Sequence, residues 1–246
     1  MRITIKGDSP DVSRSVEICS QEFCDRFSSV KCVRFEPGSH VYNQDSEASE
    51  VFLIRGGVVK LSKISRHGRE RVLAFRYAGE ILGAASSISQ RRHVISAIAI
   101  THCTAFMVDS HEFAEVIHTE HRFSWWLQLQ FAKEISDHHR DLAFLGGARA
   151  EERVIVALWK FARAVGSSGA PFAVPRSVHL PCCQRDLAAA LGLTPEHLSR
   201  TLRQLERSGV LMRQARKITI LRRPEGEWFD ENGIDDSAKG GDSRCD

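Results

Sequence analysis

Between Gln184 and Glu206 the chain reads QRDLAAALGLTPEHLSRTLRQLE, and few local structures fit that spacing. Gly192 separates two helical patterns: Leu187, Ala188 and Leu191 share one side of the first, and Leu198, Leu202 and Leu205 share one side of the second. Thr194 supplies an N-cap oxygen to the second helix, and Pro195 is a first-turn proline whose missing N–H leaves no bond unmade. Two helices crossing closely over a tight turn need a small residue on the first and a turn-permissive residue between them. They also need an apolar residue on the second that fills the shared core. Ala188, Gly192 and Leu198 meet these needs at offsets of four and six, which predicts a helix-turn-helix unit.

With its leucines inward, the second helix turns Glu196, Ser199 and Arg200 outward near its N-terminal end, with Arg203 and Arg207 further along. That end enters the major groove when such a unit docks on DNA. There a carboxylate accepts from cytosine N4, a guanidinium bridges guanine O6 and N7, and a small hydroxyl meets a neighbouring base or its methyl. A plainer reading competes: Glu196 and Arg200 stand at i and i+4, where a surface ion pair is worth roughly 0.3 to 0.5 kcal/mol. Beyond Gly209, VLMRQARKITIL offers two β runs around a basic turn, the pattern of a wing. It would bring Arg213, Arg216 and Lys217 to the phosphates, with Thr194 and Arg203 as further backbone contacts.

The charge distribution points the same way. Residues 148–223 hold 14 Lys and Arg against 5 Asp and Glu, whereas residues 224–246 hold 2 against 8, and residues 1–147 balance at 18 each. A basic block in one segment fits a polyanion partner, and a solvated basic face gives the same count. The longest apolar runs are too short to cross a bilayer. MRITIKGDSPDVSRS lacks the apolar stretch of a secretory signal, so a cytoplasmic location and mostly free thiols are expected for the seven cysteines.

Upstream the texture is different. Val16, Cys19, Phe23 and Phe27 suit one amphipathic helix within an N-terminal segment, 1–30. From 31 to 110, short β-like runs alternate with PG, GG, HG and AG turns, predicting an antiparallel sandwich or jelly roll. Residues 111–147 then read as a short helix and a long one. In the long helix Phe123, Leu127, Phe131, Ile135, His138, Leu142 and Leu145 form a single seam, suited either to pairing with a second copy of the chain or to lying on its own β domain. Gly146 and Gly147 make a hinge. A DNA-binding unit is expected over 148–223, including a loop after Val165, and the acidic tail 224–246 reads as disordered.

This order of elements, together with LPCCQRDLAAALGLTPEHLSRTLRQLERSGVL, resembles the family of the cyclic-AMP receptor protein and the fumarate-nitrate regulator, CRP/FNR, from about Val30 to Arg222. The resemblance implies an α+β chain: an N-terminal β-roll (jelly-roll, cyclic-nucleotide-binding-like) domain, a long dimerisation helix and a C-terminal winged helix-turn-helix domain. It further implies a homodimeric transcription regulator that binds double-stranded DNA and is no enzyme, with RNA polymerase as a partner if it activates. Glu-x-x-Ser-Arg, here Glu196, Ser199 and Arg200, resembles the fumarate-nitrate and FixK-like branches, whose half-site is TTGAT. The cyclic-AMP branch carries Gly where this chain has Ser199. Pro195 and His197 depart from the usual pattern in that helix.

Family members that bind a cyclic nucleotide use a Gly-Glu cassette followed by Arg-Ser/Thr. In GEILGAASSISQRRHVIS, aligning Gly83 puts Ala84 where Glu is needed and His93 where Arg is needed, with Arg92 one residue away. Losing those charge-assisted contacts argues against cyclic AMP; the alternative, a cyclic-nucleotide-responsive regulator, needs a one-residue shift that brings in Arg92. Cys19, Cys24, Cys32 and Cys103 are too loosely spaced for an iron-sulfur cluster, and none of the eleven His stands in a haem-ligand context. No cofactor and no metal are expected. His138 and His139 are candidate pH reporters on the long helix. Cys182 and Cys183, beside Arg176, Arg185 and a helix N-terminus, are candidate redox thiols; the alternative is a small apolar residue closing the helix start. A cupin-type metal enzyme is the remaining rival, yet His40 stands alone in PGSHVYNQD.

Overall fold

The computed structural model describes residues 23–165, 174–214 and 217–222. Cys19, Arg216, the acidic tail and most of the expected loop after Val165 lie outside them.

Two four-stranded antiparallel sheets face each other in the N-terminal half. One runs β1(Lys31–Phe35), β8(Cys103–Asp109), β3(Glu50–Gly56), β6(Ile81–Leu82); the other runs β2(His40–Tyr42), β7(Ser96–Ala99), β4(Val59–Ile64), β5(Glu70–Arg76). Phe52, Ile54, Val59, Leu61, Ala97 and Ala105 meet between the sheets and form a core without charges. This is the expected jelly roll. The short helix α1(Ala84–Ile88), absent from the sequence reading, starts at Gly83 with φ +84°, where a Cβ would lie 2.9 Å from the Glu50 carbonyl oxygen.

Two helices follow, α2(Ser110–Thr119) and α3(His121–Gly147). Asp109 caps α2 by accepting from the N–H groups of His111 and Glu112. Phe23 and Phe27 from the N-terminal segment pack with Phe113, Phe123 and Leu127, and this aromatic cluster fastens the start of α3 to its own β-roll.

The proposed seam on α3 is therefore divided. Phe123 and Leu127 are buried within the protomer, and half-buried Phe131 packs against the same cluster. His138 also faces its own β-roll, with Nε2 3.2 Å from an Arg76 nitrogen, and Arg76 is paired to Glu134 one turn earlier. The physical reason is that β5 and β8 present apolar and cationic groups to this side of the helix, which periodicity alone cannot reveal. Ile135 and Leu142 remain exposed, joined by Trp125 at 63% and Leu129 at 50% on a neighbouring line.

The C-terminal unit comprises α4(Ala150–Val165), β9(Arg176–His179), α5(Gln184–Ala190), α6(Pro195–Arg207) and the hairpin β10(Leu211–Gln214)–β11(Lys217–Ile220). β9, read from sequence as loop, pairs antiparallel with β11 and completes a three-stranded sheet. Val154, Leu158, Leu187, Leu198, Leu202 and Ile218 fill its core. That core does not end at the unit's edge: Val58, Phe75, Tyr77 and Ile100 of the β-roll pack against it, with Phe161 5.1 Å from the Phe75 ring and 6.2 Å from Tyr77.

Candidate nucleic-acid interface

α5 and α6 form the helix-turn-helix. Gly192 holds φ +63° at the turn, a conformation L side chains resist, and the Leu193 N–H donates to the Ala188 carbonyl across it. From α4, Arg153 donates to the Leu191 carbonyl at 2.8 Å and satisfies the C-terminal end of α5. Leu198, Leu202 and Leu205 are buried, so the outer face of α6 is set by its inner one.

Glu196 and Arg200 are exposed on the first two turns and Ser199 is half-buried between them. Thr194 caps α6 by accepting from the His197 N–H at 3.2 Å, with Pro195 at the first helical position. The Glu196 carboxyl is held below the usual carboxylate range by its own backbone N–H, by the Thr194 hydroxyl and by the Arg200 charge. It is thus an ionised acceptor at neutral pH, as a cytosine amine requires. Arg203 lies exposed one turn on, its Nε donating to the Ser199 carbonyl.

The wing is β10–β11, paired from Leu211↔Ile220 to Gln214↔Lys217. Lys217 stands at its tip, half-buried. Arg213 corrects the sequence reading: its guanidinium donates twice to one Glu206 oxygen, at 3.1 and 2.8 Å, and its N–H donates to the other. It clamps the end of α6 to the wing, and the Glu206 carboxyl is held low by it. Arg185, exposed on the first turn of α5, adds a cation to this face and was named from sequence only as a neighbour of the two thiols, not as a backbone contact. A cation on the N-terminal turn of the helix that crosses the DNA backbone is the signal that would have found it.

The two thiols differ. Cys182 is buried, and burial, the Asp186 charge and Cys183 push its thiol up to about 12, which reverses the expectation of a thiolate there. Cys183 is exposed and is the N-cap of α5, its sulfur accepting from the Asp186 N–H at 3.4 Å.

In the β-roll, Gly83, Ala84 and His93 come together and Arg92 does not. His93 is buried, stacks on Tyr42 with ring centroids 3.8 Å apart, and lies 3.5 Å from where a Gly83 Cβ would be. Burial lowers the His93 pKa against a smaller opposing effect of Glu50, so the ring is neutral where the family cassette carries a cation. Arg92 points outward to the Asp45 carbonyl and Glu47, which removes the one-residue shift that would have brought it into the cassette. Among the described residues no group of three His, Cys, Asp or Glu is placed to hold a metal, and no helix is long and apolar enough to cross a membrane.

Comparison with known proteins agrees with this geometry. Residues 32–120 match the model of the cyclic nucleotide-binding domain, and residues 152–225 that of the Crp-like helix-turn-helix domain. The chain is 32% identical over 190 residues to the nitrogen fixation regulation protein FixK of Azorhizobium caulinodans, covering 76% of this chain and 74% of that protein. It is 31% identical over 186 residues to the transcriptional activatory protein AadR of Rhodopseudomonas palustris, covering 73% of each. The solved structure of FixK2 from Bradyrhizobium japonicum superposes with a TM-score of 0.69 at 26% identity, covering 79% of this chain and 94% of that one. These relatives are transcription regulators rather than enzymes. With a β-roll, a long connecting helix and a winged helix-turn-helix in one order, the chain belongs to the CRP/FNR family of DNA-binding transcription regulators.

Proposed function

We propose that the protein works in the cytoplasm as a homodimer on an inverted repeat of TTGAT-like half-sites. Glu196, Ser199 and Arg200 read base edges, and Thr194, Arg203, Lys217 and Arg216 position the DNA backbone. The observation that carries this reading is the outward placement of all three readers on the first two turns of a capped helix whose other face is wholly buried. Two-fold pairing sets the half-sites about one helical turn apart, roughly 34 to 36 Å. Self-association is supported by Trp125, Leu129, Ile135 and Leu142, a run of large apolar side chains left open along α3. The name of the relative AadR speaks for activation, which would make RNA polymerase a partner.

No cyclic nucleotide is needed in this reading. A neutral His93 stacked on Tyr42 offers no charge to a cyclic phosphate, and Ala84 offers no carboxylate to its ribose. Any oxidation response would fall to Cys183, a reading supported by its exposure at the start of α5 while Cys182 is buried. The test is selection of duplexes from a random pool by the purified protein. Enrichment of an inverted TTGAT-like repeat is expected; a retained pool without two-fold symmetry overturns the reading. In sedimentation, L129E/L142E is expected to run as a monomer.

A further inference from the structure

The hairpin β4–β5 turns through Ser65–Arg69, closed by the Ser65 N–H donating to the Arg69 carbonyl and the Gly68 N–H to the Ser65 carbonyl. Residues 63–71 read KISRHGRER. Lys63, Arg66, Arg69 and Arg71 are all exposed, with His67 at the tip. Glu70, the single carboxylate among them, is already engaged, 3.0 Å from Lys60 Nζ. Four cations thus stand exposed on one hairpin, and none of them is in an ion pair among the described residues.

Their position matters more than their number. Lys60, on β4, also reaches Asp186 Oδ2 at 3.2 Å, and Asp186 lies on the first turn of α5. The Arg185 charge helps hold the Glu70 carboxyl low, so hairpin and helix start share one electrostatic neighbourhood. Contacts of Phe75 and Tyr77 with Phe161 fix this side of the β-roll against the C-terminal unit. In helix-turn-helix docking the first helix crosses the DNA backbone while the second enters the groove. A duplex seated on α6 in that mode passes the start of α5, to which the hairpin is tied through Lys60.

We propose that Lys63, Arg66, Arg69 and Arg71 bind phosphates of the DNA flanking each half-site, so that the sensor domain itself forms part of the DNA-binding surface. The proposal rests on the docking mode given above but not on which bases are read. Phosphate contacts are sequence-independent and release counterions, about 0.9 in the slope of log K against log salt for each phosphate neutralised.

The experiment uses full-length protein and fluorescence anisotropy with three duplexes. The first holds two TTGAT half-sites and ends at their outer edges; the second adds about ten base pairs on each side, a length of one helical turn; the third is random DNA of the longer length. K63Q/R66Q/R69Q/R71Q is compared with wild type, and K63R/R66K/R69K/R71K keeps the charge. Wild type is expected to bind the extended duplex about tenfold more tightly than the short one. The neutralised variant should lose that gain and show a salt slope shallower by roughly 2 to 4 on both long duplexes, two phosphates per protomer at the upper end. It should match wild type on the short duplex, and the charge-preserving variant should behave as wild type. Equal salt slopes for neutralised and wild-type protein on both long duplexes overturn the proposal; if that variant also loses promoter activation in a reconstituted assay, the hairpin serves an acidic protein surface instead. Absence of any preference for the TTGAT duplexes over random DNA sinks the half-site assignment alone, because the salt slope on random DNA still decides the hairpin.

Discussion

Removing the Lys60 ammonium separates an interdomain ion pair from ordinary surface electrostatics. Lys60 is 9% exposed and bridges Glu70 of its own hairpin and Asp186 of α5, whose side chains are 40% and 21% exposed. At an effective dielectric constant of about 20, each contact near 3 Å contributes about 5 kcal/mol of gross attraction, opposed by several kcal/mol for desolvating the ammonium. The carboxylates left behind in K60M reach water, so the full penalty of about 3 to 5 kcal/mol for orphaning a buried charge does not apply. The expected loss is about 1 to 2 kcal/mol, with a Lys60–Asp186 coupling of about 1 kcal/mol in the cycle K60M, D186N and K60M/D186N. Urea unfolding followed by tryptophan fluorescence measures it, since Trp159 is buried in the C-terminal unit. Burial pulls the Lys60 pKa down, but bonds to Glu70 and the charge of Asp186 leave it raised. Its contribution is then fully present at neutral pH and is lost only as pH rises through that raised value. Burial raises the Glu70 pKa, but its bonds to Lys60 and Ser62 leave it lowered, so its contribution holds above the ordinary carboxylate value of 4.5 and fades as pH falls through the lowered one. Coupling is thus expected to be equal at pH 6 and pH 9. A cycle that closes additively, within about 0.3 kcal/mol at both values, refutes the reasoning.

Other outcomes follow from the same geometry. R200A is expected to weaken operator binding by about 1 to 3 kcal/mol and relax preference at one base pair, while K217A weakens operator and random DNA alike; equal losses for R200A on both would contradict base reading. Calorimetry with cyclic AMP and cyclic GMP should give no binding heat, and saturable heat abolished by H93A would place a nucleotide at the Tyr42–His93 stack. Brief iodoacetamide treatment at pH 8 should label Cys183 and leave Cys182 intact in the mass spectrum, given a thiol pushed up to about 12; comparable labelling would mean that Cys182 is not closed off.

Short-range features were the most legible. Ala188, Gly192 and Leu198 specify a turn through steric fit within ten residues, and the strands announce themselves through turn glycines at regular intervals. Everything decided by a distant partner was hidden. The apolar seam of α3 was visible, yet it is contact with Phe23, Phe27, Phe113 and Val108 that ties the start of the helix to the protomer, and Arg76 that engages it further along. RSVH became β9 because β11 lies beside it, not through any strong propensity of its own. Arg213 read as a phosphate contact until Glu206, seven residues earlier, claimed its guanidinium. The partner of Lys60 was hidden in the same way, because composition cannot tell that Asp186 waits 126 positions away.

Phe161 sits on a helix of the C-terminal unit but spends its ring on Phe75 and Tyr77 of the β-roll. Gly146 and Gly147, expected to make a hinge, lie inside the last turn of α3, and the break that follows at Ala148 and Arg149 is accordingly a seam in the chain and not in the interior. Severing it would strip a greasy aromatic face on each piece, so neither piece is a portable module. Grafting a foreign sensor onto this DNA reader would demand that the newcomer bring its own aromatic socket, which ties the inheritance of the two parts together.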